Sequence, residues 1–200
     1  MKNLVILLLL LVLSFFLPNC TKDKQIISVT PVVPEVPVVP PPKNLILNPS
    51  FEKDGQCTFE GWQIWTSVAV KSSQDIPSNG GKCSIQLSYT SLWGGAPPMG
   101  GIAYAYITGI SGTNAFKLKS WIKNTNSQSP GLITIGILSG YQITQEQTIS
   151  AKNSASWNQY TLNCTLTSQP SDSIIVMLSH GKCPDCYYDV LFDLIELQKN

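Results

Sequence analysis

Phe116-Lys117-Leu118-Lys119-Ser120-Trp121-Ile122-Lys123 is the stretch whose spacing decides the fold. Neighbouring side chains on a strand point to opposite faces. Phe116, Leu118 and Ile122 therefore share one face, while Trp121 lies with Lys117, Lys119 and Lys123 on the other. The pattern predicts a half-buried strand with Trp121 on its solvent side. The same reading extends outward. Trp62, Ile64, Val68 and Val70 share a face and turn Trp65 the other way. Tyr160, Leu162, Cys164 and Leu166 fall together, as do Cys83, Ile85, Leu87 and Tyr89.

No helical periodicity of useful length occurs, and alternating runs are separated by Gly, Pro, Asn and Ser. Strands are expected near 44–51, 62–70, 83–89, 102–108, 116–123, 132–138, 145–150, 157–166, 173–179 and 187–198. Short strands at such spacing predict an all-β sandwich of antiparallel sheets. The last run is almost continuously apolar and so belongs at the centre of a sheet.

Only 12% of the 200 residues are charged, the formal net charge is +1, and the 13 basic residues are all Lys. Without Arg forks or a basic patch, the composition excludes recognition of a phosphate backbone, so no nucleic-acid partner is expected. Ser, Thr, Asn and Gln carry the polar burden instead, which suits an extracytoplasmic domain with neutral partners.

The N-terminus reads as an export signal: Lys2, an apolar run from Leu4 to Leu17 broken by Ser14, then Pro18-Asn19-Cys20. The run is shorter than the roughly 20 residues a membrane span needs. Residues 1–19 are expected to be a lipoprotein signal peptide and Cys20 the acylated residue. Leu17 fits a lipobox, although Pro18 and Asn19 stand where small residues are usual. An ordinary secretory signal is disfavoured by the missing A-x-A-like cut site, and an uncleaved anchor would give the same topology. Pro31, Pro34, Pro37, Pro40, Pro41 and Pro42 then favour extended polyproline II. Segment 20–43 is thus expected to be a lipid anchor and linker, and 44–200 the folded domain. The expected location is the bacterial cell envelope, membrane-anchored, periplasmic or surface-exposed.

Asn44-Leu45-Ile46-Leu47-Asn48-Pro49-Ser50-Phe51-Glu52, followed by Gly61-Trp62, resembles the start of carbohydrate-binding modules of the family 4, 9 and 22 type. Ile107-Thr108-Gly109-Ile110, Ser156-Trp157-Asn158-Gln159-Tyr160-Thr161 and the closing run Tyr188 to Leu197 continue the resemblance in order. It implies a jelly-roll sandwich with a structural calcium, held by Glu52 after the first strand and Asp193 in the last. Calcium takes six to eight oxygen ligands at flexible geometry, so backbone carbonyls would complete the shell. The physical pattern stands beside the resemblance: Phe51 is an apolar anchor, and Gly61 lets the chain bring Trp62 against the core.

Sugars present apolar C–H faces rimmed by hydroxyls, which flat aromatic side chains and amides recognise. Trp65 and Trp121 are candidates because they point off the core face. Trp93, before Gly94-Gly95-Ala96-Pro97-Pro98, and Tyr141 are loop candidates, and Tyr104 and Tyr106 form a same-face pair. The pair could equally be core beside Ile102, and Trp157 reads as a packing residue at a strand entrance.

Without Cys20, the cysteines are Cys57, Cys83, Cys164, Cys183 and Cys186, so at most two disulfides form and one thiol remains. Cys164 is the candidate for that buried thiol; the pairing of the others stays open. His180, Cys183 and Cys186 could suggest zinc, with Cys57 as fourth ligand, but disulfide bonding is the simpler use in an exported protein. No pair of carboxylates stands out at the roughly 5 to 9.5 Å that glycoside cleavage requires, and no nucleophile triad is present. The expectation is non-catalytic capture of polysaccharide or glycan at the envelope. The alternative is an adhesion or envelope-assembly module that binds a protein partner.

Overall fold

The alternating runs form two antiparallel sheets in the computed structural model, which describes residues 43–65, 69–90, 99–125, 129–181 and 188–200. The readings on 1–42, including Cys20, and on Val68, Trp93, Cys183 and Cys186 lie outside the described residues. One sheet has the order β10 (Gln142–Ala151), β9 (Gly131–Ser139), β12 (Ser173–His180), β7 (Ile102–Ile107) and β3 (Gln63–Trp65). The other runs β11 (Ser154–Ser168), β8 (Gly112–Asn124), β13 (Tyr188–Lys199), β5 (Ser84–Thr90) and β4 (Val70–Ser73), with β6 (Met99–Gly100) added to β5. A small ribbon pairs β1 (Glu52–Lys53) with β2 (Gln56–Cys57).

Phe116, Leu118 and Ile122 of β8, Ile85 and Leu87 of β5 and Phe192 of β13 fill the core from one side. Ile133, Ile135 and Ile137 of β9 and Ile174, Val176 and Leu178 of β12 meet them from the other. Burying each such side chain contributes about 1.5–3 kcal/mol. The apolar closing strand β13 is central, paired with both β5 and β8. Cys164 is a free, half-buried thiol packed against the core with Tyr160 and Leu162. Burial pushes the pKa of that thiol up.

Two expected strands come out differently. Residues 44–51 form no ladder strand, because Pro49 lacks an N–H and the Asn44 side chain takes over backbone roles. Asn44 Oδ1 accepts from Leu197 N at 2.9 Å, Asn44 Nδ2 donates to Ile195 O at 3.0 Å, and Ile195 N donates to Pro49 O at 2.8 Å. The run 62–70 divides between sheets: Ile64 faces the core from β3 and Val70 from β4. Trp62 is buried and Trp65 exposed, as the alternation requires.

Candidate functional site

The outer face of the five-stranded sheet carries three of the candidate aromatic side chains. Ala103 and Ala105 of β7 point into the core, so Tyr104 and Tyr106 point out. Trp65 lies opposite Ile102 and Gln63 opposite Tyr104 in the β3–β7 register, which places all of them on that face. Trp65 is 60% exposed and Tyr106 37%. The two tyrosine rings meet edge to face, with centroids 5.3 Å apart. Burial, then the neighbouring Tyr104, raises the Tyr106 phenol above its ordinary pKa, so its hydroxyl stays protonated at neutral pH.

The same row continues through Met177 to Thr134, whose hydroxyl bonds Thr148 at 2.8 Å. Glu146 reaches this face beside Gly136. None of the strands β3, β7, β9, β10 and β12 contains a Lys. Tyr141, fully exposed, stands apart in the β9–β10 turn.

On the outer face of the six-stranded sheet, Gln159, Trp121 and Asp193 sit in register across β11, β8 and β13. The connection from β4 to β5 folds back over them. Its Asp75 accepts from Trp157 Nε1 at 2.9 Å and pairs with Lys123 Nζ at 2.5 Å. Its Asn79 joins Trp121, Gln159, Leu194 and the ion-paired Lys119 and Glu196 around a cleft of about 240 Å3. Desolvation would raise the Asp75 pKa, but hydrogen bonds from Lys123 and Trp157 and the Lys123 charge hold it below its usual 3.8.

A depressed carboxylate pKa stabilises the fold above the unfolded value, and that stabilisation disappears as pH falls through the folded value. Asp75 and Lys123 are partly exposed, so the energy is small. In an NMR pH titration, Trp157→Phe should move the Asp75 midpoint upward towards 3.8. An unchanged midpoint would show that the indole contributes nothing.

Further along the same connection lie Gly80 and Gly81, between two carboxylates. A Cβ on Gly80 would stand 2.6 Å from Asp193 Oδ2, and one on Gly81 would collide with both carboxylate oxygens of Glu52. Asp193 is fully buried; its Oδ1 accepts from Leu194 N at 2.7 Å, and its Oδ2 has no hydrogen-bond partner. Desolvation chiefly, with the Glu52 charge adding and the Leu194 N–H opposing, pushes its pKa up to about 7. Phe51, just before Glu52, and Leu194, just after Asp193, both hold left-handed backbone, at φ 56 and 49. Such conformations cost about 1–3 kcal/mol each and gather where a site needs a set geometry. A β-bulge breaks the β8–β13 register between Asp193 and Glu196. Asn48 steers the approach to Glu52: its Oδ1 accepts from Glu52 N at 2.9 Å, and its carbonyl accepts from the buried Trp62 Nε1 at 2.8 Å.

No protein-family model matches the chain, and no curated protein matches it in sequence. Solved structures do match. The enzymatically active domain of bacteriophage CBA120 tailspike protein 4 has a TM-score of 0.59 at 16% identity, over 78% of this chain and 21% of that one. This chain thus spans about a fifth of the tailspike chain. TmCBM61, solved with β-1,4-galactotriose, has a TM-score of 0.53 at 14% identity over 79% of this chain and 99% of that one. Family 16 Carbohydrate Binding Module-2 gives 0.52 at 16% identity, over 77% and 99%. The fold is that of the carbohydrate-binding-module jelly rolls.

Within this carbohydrate-binding-module fold, the expected site residues among those described, Tyr141 aside, separate into three places. Trp65, Tyr104 and Tyr106 come together on one sheet, Trp121 lines the cleft on the other, and Glu52 and Asp193 meet at Gly80–Gly81. The cradle fits a hard cation. Its orphaned, buried Asp193 oxygen lacks a positive partner, two carboxylates balance a divalent charge, and the ligand atoms are oxygens. No group of three or more His, Cys, Asp and Glu gathers among the described residues, so carbonyls or water would complete the shell. His180 is instead bonded by the Tyr188 hydroxyl at 3.0 Å. Sequence reasoning missed Asp75, Asn48 and the glycine pair; Gly80-Gly81 ahead of a cysteine was the one visible signal for the last.

Proposed function

We propose that this domain is a non-catalytic binder of neutral saccharides, and that the outer face of the five-stranded sheet is its binding surface. The observation that carries this is the alignment of Trp65, Tyr104 and Tyr106 on one outer face. Aromatic rings left in water cost free energy unless a ligand covers them, and sugar C–H faces are suited to stack on them. Gln63 and Glu146 supply exposed hydrogen-bonding groups on the same surface. The absence of Lys from those strands removes the partner an acidic polysaccharide would need, which argues for a neutral glycan. The saccharide bound by TmCBM61, of the same fold, agrees with this reading.

The Trp121 cleft is a second position for the same class of ligand, because an indole there adjoins the amides of Gln159 and Asn79. Glu52 and Asp193 would hold a structural calcium, which supplies positive charge to both carboxylates. The signal peptide, the lipid on Cys20 and the Pro-rich linker would place the domain at a bacterial envelope, where it captures polysaccharide. Adhesion to a protein partner is the competing reading.

A panel of neutral and acidic oligosaccharides tests this by calorimetry. Trp65→Ala and Tyr106→Ala should each weaken neutral-sugar binding about tenfold, equivalent to roughly 1.4 kcal/mol. Trp121→Ala separates the second position from the first. Binding only to acidic sugars, or unaffected by all three substitutions, would overturn the assignment of these surfaces.

A further inference from the structure

The Cys57–Cys83 disulfide closes a ring around one wall of the cation cradle. Cys57 lies opposite Glu52 in the β1–β2 ribbon, and the two cysteine Cα atoms are 5.6 Å apart. Cys83 N donates to Glu52 Oε1 at 2.8 Å, and Lys82 N donates to the same oxygen. Both bonds fall on Oε1, and both carboxylate oxygens lie against Gly81. The Glu52 carboxylate is therefore held by a strand partner on one side and by the chain leading to that partner's disulfide on the other.

Beyond an exposed Lys53–Glu60 ion pair at 2.7 Å, of a kind that contributes little, the described residues restrain the ribbon's tip weakly. Each of its strands has two residues, and only Glu52 among the four is even partly buried. Such a short ribbon is not stable alone. Its base is secure, because Phe51 is buried and Thr58 N donates to Phe51 O at 2.8 Å. Loss of the disulfide would thus loosen Glu52 against Gly81 without removing the anchor beneath it.

We infer that the Cys57–Cys83 disulfide positions the cation cradle, so that cation affinity depends on its redox state; this rests on the reading of Glu52 and Asp193 as a cation site. Reduction takes two electrons and two protons from two glutathione thiols, which leave as glutathione disulfide, and yields the Cys57 and Cys83 thiols. The cation must then order the ribbon itself, and its affinity falls. Linkage is reciprocal: a cation that prefers the oxidised protein makes its disulfide harder to reduce by the same factor.

The test uses the full chain equilibrated in glutathione buffers, with the state of the Cys57–Cys83 peptides read by mass spectrometry and Ca2+ affinity by calorimetry. Reduction should weaken Ca2+ binding at least tenfold. Saturating Ca2+ should make the reduction potential of this disulfide more negative by about 30 mV, the equivalent of tenfold for two electrons. The double variant C57S/C83S should show the weak affinity in every buffer. If the disulfide merely stabilises the fold, its reduction lowers the melting temperature but leaves Ca2+ affinity unchanged. Equal affinities in folded oxidised and reduced protein, with no calcium-dependent potential, would overturn the inference and leave the cation site standing. No Ca2+ binding in either state would overturn both.

Discussion

Saturating calcium should raise the melting temperature of the chelator-treated protein by about 5–10 °C, and Asp193→Asn should erase that response while raising the cation-free midpoint. A ligand at a hundred times its Kd stabilises the state it binds by about 2.7 kcal/mol, and a domain of this size shifts roughly 2–4 °C per kcal/mol. The second half of the expectation comes from Asp193. Its side chain is fully buried, Oδ2 has no hydrogen-bond partner, and the Glu52 charge opposes its ionisation. Such a carboxylate destabilises the cation-free fold, and an amide of the same shape removes the charge. Glu52→Gln should also lose the calcium response, but without the gain in the cation-free protein, because Glu52 accepts two backbone N–H bonds as a carboxylate. Scanning calorimetry with chelator and with calcium measures both quantities. A calcium shift that survives in Asp193→Asn would remove Asp193 from the site.

The sheets were legible in the sequence wherever one face is wet and the other dry. The Phe116–Lys123 alternation carries that contrast, and β8 and β11 follow from it, with Trp65 and Trp121 turned outward as their positions require, while β13 was legible from its apolar run. Legibility failed where a side chain does the work of a backbone. Asn44 supplies the bonds of a first strand without forming one, and no periodicity encodes that. It failed again for contacts made at long range. Asp75 meets Trp157 across 82 residues, and Cys57 pairs with Cys83 across 26. The two carboxylates of the cradle came from the family resemblance. The glycines that let them approach became interpretable only once Asp193 was seen beneath Gly80. Alternation reports which side of a strand is dry; it is silent on what a loop lays over the wet side.

Phe51→Ala should destabilise the domain by about 3–5 kcal/mol, the range for removing a buried aromatic ring. That is a large share of the 5–15 kcal/mol typical of a folded domain. The ring is fully buried, 5.2 Å from the Trp62 ring and 6.4 Å from that of Phe59. Yet Phe51 also holds left-handed backbone, and packing and strain can be separated by the choice of replacement. Alanine loses the ring and keeps the strain, since its Cβ meets the same steric penalty. Glycine loses the ring and relieves the strain, so Phe51→Gly should be at least as stable as Phe51→Ala, the reverse of the usual order for a buried position. Leucine keeps much of the packing and all of the strain, and should lie nearest the wild type. Urea denaturation in chelator gives the three values. If the alanine variant falls within 1 kcal/mol of wild type, Phe51 is not the anchor. If glycine is markedly worse than alanine, the left-handed geometry before Glu52 is not held against a steric cost. Either replacement of the ring should also weaken calcium binding, because the residue that fills the core here is the one that aims the next carboxylate at Gly81.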